Sequence, residues 1–182
     1  MEKQNSLYLK MTEYFAGDPA RIQHFIKVHS LARIIGLEEK LPGREQEILE
    51  TAALVHDIGI RPAEEKYGSS NGKLQEQEGS PAAEEMLRDL GYDEELIKRV
   101  SYLVAHHHTY GQIVDMDYQI LVEADFLVNY YENATSTANI HKSINKIFRT
   151  QTGVRLAQTM YAETRQESVE ISETWAQDAL QD

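Results

Sequence analysis

The chain reads as an all-α protein folded as a single domain, and three observations predict this. Apolar residues recur at three- and four-residue spacing along most of its length. No segment shows the apolar/polar alternation of a half-buried strand. Capping residues and glycines bracket the periodic stretches.

The elements follow in order. Leu7, Met11, Tyr14 and Phe15 mark a helix over 6–15 that Gly17 stops. In "GDPARIQHFIKVHSLARIIG", Asp18 is the expected N-cap, Pro19 takes the first helical position, and Gly36 stands past the end. A third helix runs from about 44 to His56. Residues 59–79, rich in Gly, Ser and Lys, read as a long loop, with "GSSNGK" as its least ordered part. Ser80-Pro81 restarts a helix that Gly91 closes, and Asp93 caps the next, which ends in three histidines. Another helix covers about 117–131, and a long helix is expected from Gly153 onward with Leu156 and Met160 on its apolar side. Residues 1–182 are thus read as one helical domain, with a core over about 18–131 and a helical extension over about 135–182.

Composition narrows the function. The 182 residues are 41% hydrophobic and 26% charged, enough to bury a sizeable core. "MEKQNSLYLK" lacks the apolar centre of a signal peptide, and no stretch approaches the ~20 apolar residues of a membrane span. The absence of cysteine excludes disulfides and thiolate metal sites and suits a cytoplasmic protein. A net charge of −12 argues against binding duplex nucleic acid, which needs clustered Lys and Arg. A small phosphorylated substrate stays open, because a bound cation reverses the local field.

Four places present a metal-ligating side chain from an apolar surface. His24, Val28, Leu31 and Ile35 fall on one stripe of their helix, so His24 points toward the core, whereas His29 lies roughly 140° around from it. Taken alone, His24 reads as a core histidine bonded to a backbone carbonyl. "AALVHDIGI" delivers His56 and Asp57 at the end of an apolar helix, and Gly59 lets the chain turn there. Asp125 is set among Leu121, Val122, Ala124, Phe126, Leu127 and Val128, where an unpaired carboxylate would cost several kcal/mol. "LVAHHHTY" brings His106, His107 and His108 to a helix end, where two neighbours can converge as the backbone unwinds. Imidazoles and carboxylates without sulfur suit one N/O site for a divalent metal. That accounts for a charged pair at the end of a hydrophobic run, because the metal offsets its burial.

The ordered set His24 (with Val28 and Ala32 on the following turns), His56-Asp57-Ile58-Gly59 and Ala124-Asp125 resembles the HD-domain metal-dependent phosphohydrolase superfamily over most of 18–131. The resemblance implies an all-helical domain that binds one or two divalent metals, with His24, His56, Asp57 and Asp125 as ligands. Fe, Mn, Co, Ni, Zn and Mg are not distinguished by it. It is similar in part to a subgroup that cleaves dinucleoside tetraphosphates, whose extra histidines match His107 and His108, 18 and 17 residues before Asp125. Where that subgroup carries a further histidine, this chain has "EGSPAA", which makes Glu78 a candidate ligand. Ile60 replaces the lysine that often follows His-Asp-Ile-Gly, so Arg61, Lys66 or Lys27 would hold outer phosphates.

The activity implied is hydrolysis of a phosphate ester or anhydride on a small nucleotide substrate. A metal would lower the pKa of a bound water from ~15.7 toward ~7, with His56 and Asp57 as catalytic residues and Asp57 able to bridge two metals. Two alternatives stand beside it: a di-iron oxygenase on the same scaffold, and a non-catalytic sensor or interaction domain that its metal merely stabilises. Tyr130, Tyr131 and the C-terminal helix suit either closure of the core or a homodimer contact.

Overall fold

A computed structural model describes residues 2–111 and 113–162. Among them are nine helices and no strand: α1 (Glu2–Tyr14), α2 (Pro19–Glu38), α3 (Gly43–Val55), α4 (Ile60–Tyr67), α5 (Gly72–Asp89), α6 (Glu94–Val104), α7 (Met116–Glu132), α8 (Thr137–Ile147) and α9 (Gln151–Met160). No helix among the described residues is long and apolar enough to cross a membrane.

The bundle is built around α3. This helix touches α1, α2, α6 and α7, and Ala52, Ala53, Leu54 and Val55 at its end are fully buried. Alanines there keep the neighbouring backbones close, so a side chain at the end of α3 emerges in the middle of the bundle. The helix α7 packs along α2 and buries residues on almost every side, Asp125 included. Asp18 caps α2 by accepting from the Arg21 amide, Pro19 opens the helix, and Asp93 caps α6 through Leu96 N, as their spacing predicts.

Four expectations are corrected. The helix α2 does not stop at Gly36 but runs to Glu38, and the chain turns at Lys40 (φ 60°). Gly36 serves packing instead: a Cβ there would stand 2.2 Å from Gln46 Oε1 and 2.9 Å from Leu49 Cδ2. The supposed loop over 59–79 contains α4, ended by Gly68 in the left-handed region, and the first turns of α5, capped by Asn71 through Leu74 N. Ser80-Pro81 therefore lies inside α5 and does not start it. Proline in a helix interior costs about 3 kcal/mol, and packing of α5 on α4 and α6 overrides that local preference.

The fourth correction concerns the C-terminal region. Residues 137–147 form a helix of their own, and the last described helix starts at Gln151, capped by Thr150, and ends at Met160. The part of the expected long helix that falls on 163–182 lies outside the described residues. Its start is fixed by Glu123, fully buried on α7, which accepts from Arg149 N (2.6 Å), Thr150 N (3.0 Å), the Thr150 hydroxyl and Gln119 Nε2 (2.7 Å).

Candidate metal centre

Two helix ends and two helix faces meet where α3 stops. His56 is the C-cap of α3, Asp57 follows it, His24 comes from the middle of α2, Asp125 from α7, and His107 and His108 lie beyond α6. His24 Nε2 lies 3.2 Å from His56 Nε2, 3.2 Å from Asp125 Oδ1 and 3.5 Å from Asp57 Oδ2. His56 Nε2 is 3.5 Å from Asp57 Oδ2 and 3.6 Å from Asp125 Oδ1. On the other side of the same carboxylate, Asp57 Oδ1 faces His107 Nε2 at 3.5 Å.

The donors group in two ways around Asp57. His24, His56 and Asp57 each offer an atom within 4.8 Å of the others, and so do Asp57, His107 and His108. Two atoms each 2.0–2.2 Å from one ion are at most ~4.4 Å apart, and the distances of 3.2–3.6 Å within the cluster meet that requirement.

The tautomers fit a cation. His56 Nδ1 lies 3.0 Å from Ala53 O and His107 Nδ1 lies 2.8 Å from Val104 O, so each ring donates from Nδ1 and turns a bare Nε2 inward. His107 Nε2 is buried without a hydrogen-bond partner. Such an orphan atom is rare in a folded interior and calls for a ligand.

The electrostatics say the same. Burial would lower His24, but its hydrogen bond to Asp125 and the charges of Asp57 and Asp125 outweigh that and raise it to about 9. Burial opposes the charge of both carboxyls too, yet His56 and His107 hold Asp57 far below the usual carboxylate range, and His24 and His56 do so for Asp125. His107 is raised despite its burial, chiefly by Asp57. Two buried anions among imidazoles demand positive charge, which protons or a metal can supply. His108 differs: burial and the neighbouring His107 push it down to about 4, and its Nε2 lies 2.9 Å from Gln75 Oε1.

Other predicted site residues lie elsewhere. Glu78 bonds Lys66 (3.0 Å) and the Tyr67 hydroxyl (2.8 Å), away from both donor groups, so the structure does not bring it to the cluster. Lys66 is thereby occupied as well. Arg61 donates to Tyr14 O and Glu65 at the surface, and Lys27 bonds Glu132. His106 stacks on Tyr102 and leaves the site to His107 and His108, while His29 joins Gln4 and Glu50 on another face of α2.

A cleft of about 270 Å³ opens onto the cluster, lined by His24, Asp57, His108 and Asp125 and at its mouth by Arg21, Asn129 and Glu132. The last three were not anticipated, although helical spacing could have found them. Arg21 is one turn before His24, and Asn129 and Glu132 follow Asp125 by four and seven residues on the same face. Asn129 donates to Asp125 Oδ1 at 2.7 Å, and Arg21 is held by Asp18 (3.2 Å) and Glu64 (2.7 Å).

Comparison with known proteins gives the family. A model of the HD domain family matches residues 21–143. A protein of Clostridium beijerinckii, itself uncharacterized, is 32% identical over 104 residues, and the match spans 55% of this chain and 62% of that relative. The crystal structure of a predicted HD superfamily hydrolase from an uncultured Thermotogales bacterium is 27% identical, with a TM-score of 0.62 over 86% of this chain and 84% of that one. The family match covers more than half of the chain and includes His24, His56, Asp57 and Asp125 on the helices that bring them together. The chain belongs to the HD domain family.

Proposed function

We propose that this protein is a metal-dependent phosphohydrolase that cleaves a phosphate ester or anhydride of a small nucleotide. One observation carries the reading: the buried, unpartnered Nε2 of His107 faces Asp57, whose other oxygen faces His24 and His56. This arrangement favours two divalent ions, with His24, His56, Asp57 and Asp125 holding one and Asp57, His107 and His108 the other. Metals held there would supply Lewis acidity toward a phosphoryl oxygen and lower the pKa of a water.

The chain's own residues do the rest. Asp57 presents one oxygen to each donor group and so sets their spacing. Asn129 orients Asp125 from one turn further along α7. Arg21 stands at the cleft mouth, and its ion pairs with Asp18 and Glu64 pre-orient the guanidinium, with N–H groups to spare for an outer phosphate. Buried apolar neighbours such as Ile58 and Val104 limit water access from the core side. The Thermotogales relative is itself a predicted hydrolase, in agreement with this chemistry.

The test pairs two measurements: elemental analysis of protein purified without added metal, and phosphate release over a panel of nucleotides and simple phosphoesters. One or two divalent ions per chain and turnover that disappears in His56→Ala are expected. If His56→Ala keeps both metal and turnover, the proposal fails. Dioxygen consumption in place of phosphate release would move the protein to oxygenase chemistry.

A further inference from the structure

The three inward-facing histidines do not obtain their orientation in the same way. His56 and His107 sit at or beyond helix ends, where the last carbonyls have no helical partner, so each Nδ1 reaches a carbonyl three residues back. His24 lies in the interior of α2, where the helix itself uses the carbonyls. Its ring must be held by a side chain.

That side chain is Glu132, the last residue of α7. Glu132 Oε2 lies 2.7 Å from His24 Nδ1, and Oε1 accepts from Lys27 Nζ at 2.6 Å. The carboxylate is thus clamped across the α2–α7 contact by two α2 side chains one turn apart, at the rim of the cleft. A carboxylate on Nδ1–H selects the neutral tautomer that leaves Nε2 free to bind a metal, fixes the ring plane and strengthens Nε2 as a ligand. His24 Nε2 then points toward His56, Asp57 and Asp125.

We infer that Glu132 is a positioning residue of the metal centre: held by Lys27, it fixes His24 with Nε2 facing the other donors. The inference rests on the metal-centre reading above but concerns a residue outside the ligand set. It also gives Lys27 a role other than holding outer phosphates.

The experiment titrates the full chain, stripped of metal, with Co²⁺, following the visible spectrum of the bound ion. Melting of the metal-free proteins reports the fold. Glu132→Ala is expected to weaken Co²⁺ binding by about 10–100-fold and to alter the spectrum, while its metal-free melting stays close to wild type. Glu132→Gln, which keeps an acceptor but loses the charge, should recover part of the affinity, and Lys27→Met should have a smaller effect than either. In turnover, Glu132→Gln should lower kcat and leave KM within about twofold. Co²⁺ affinity in Glu132→Ala within twofold of wild type overturns the inference, as does a loss explained by lower metal-free stability that Glu132→Gln does not relieve. The metal-centre reading fails separately, and this inference with it, if wild type binds no Co²⁺ or His24→Ala binds it as well as wild type.

Discussion

Gly59 lies against Gly79: a Cβ built on Gly59 would stand 2.7 Å from Gly79 N and 2.2 Å from Gln75 O. Two helix-lowering residues thus bring the backbone of α5 onto the turn that follows His56 and Asp57. Gly79 is equally constrained, since its own Cβ would meet Val104 at 2.8 Å. Gly59→Ala must push α5 away from the turn. Overpacking of this kind costs about 2 kcal/mol, or roughly 4–8 °C in melting temperature for a chain of this size. Metal content should fall as well, because Gln75, which moves with α5, holds the His108 ring. Thermal melting and elemental analysis of this variant check both effects, and unchanged values would show that the contact can relax freely.

Removing the metal should destabilise the fold. Without it, the paired carboxylates Asp57 and Asp125 are balanced only by protons on their imidazole neighbours. A ligand at 100 times its Kd stabilises by about 2.7 kcal/mol, so chelation should lower the melting temperature by roughly 5–11 °C. Adding back a divalent ion should restore it. His107→Ala should show a smaller gain on metal addition, measured by the same melting curves.

Arg21 should govern substrate affinity, where sequence reasoning favoured Arg61, Lys66 and Lys27. Arg21 lines the cleft, while Arg61 and Lys66 are engaged at the surface with Glu65 and Glu78. Hydrogen bonds to charged groups contribute about 1.5–3 kcal/mol, so Arg21→Ala should raise KM for a nucleotide by roughly 10–100-fold. Arg61→Ala and Lys66→Ala should leave KM within about twofold. Steady-state kinetics on the three variants decides which cation meets the phosphate.

A buried polar cluster outside the cleft should set part of the acid sensitivity. Burial holds His29 below its ordinary value, against the pull of Glu50, so the folded chain resists protonation of this ring. Below about pH 6.5 the unfolded chain takes up a proton there that the folded chain refuses, and stability falls as pH drops. Burial would raise Glu50, but Gln46, Gln4 and Arg33 outweigh it and hold the carboxyl low. Its contribution is present above the unfolded carboxylate value and disappears at lower pH, as the folded group takes up a proton. His29→Gln should therefore flatten the fall in melting temperature between pH 7 and 5 without changing the steeper loss at lower pH. Melting curves across that range, at constant metal, provide the measurement.

Glu123 should hold the α8–α9 connection. It accepts four donors in a fully buried position, and Gly153 fits against it so closely that a Cβ would stand 2.0 Å from Oε2. Glu123→Ala leaves several buried donors unpaired, at about 1–3 kcal/mol each. Hydrogen exchange at Thr150 and Gly153 should accelerate far more than exchange in α3. Gly153→Ala, whose Cβ collides with Glu123 Oε2, should produce the same pattern while leaving Glu123 itself unsubstituted.

Much of the site was legible because its residues stand at helix ends and on apolar stripes, which linear spacing reveals. His24 on its stripe, His56-Asp57 after an apolar run and Asp125 among apolar neighbours all announce burial of a group that needs a partner. Residues 59–79 were misread for the opposite reason. Their glycines and polar residues lower local helix preference, and only contact with α4, α6 and the His-Asp turn makes α5 continuous through Pro81.

By itself the amino-acid sequence determined the helical class, the caps at Asp18 and Asp93, and which imidazoles and carboxylates face inward, because periodicity and capping are local properties of the chain. The tertiary structure turned His106 onto Tyr102 and set His107 and His108, which the resemblance had matched, beside Asp57. It also placed Glu78 elsewhere, Arg21 at the cleft mouth and Glu132 behind His24. Those outcomes depend on how helices cross, and the distance between side chains on different helices is set by packing across the core, which no single segment encodes.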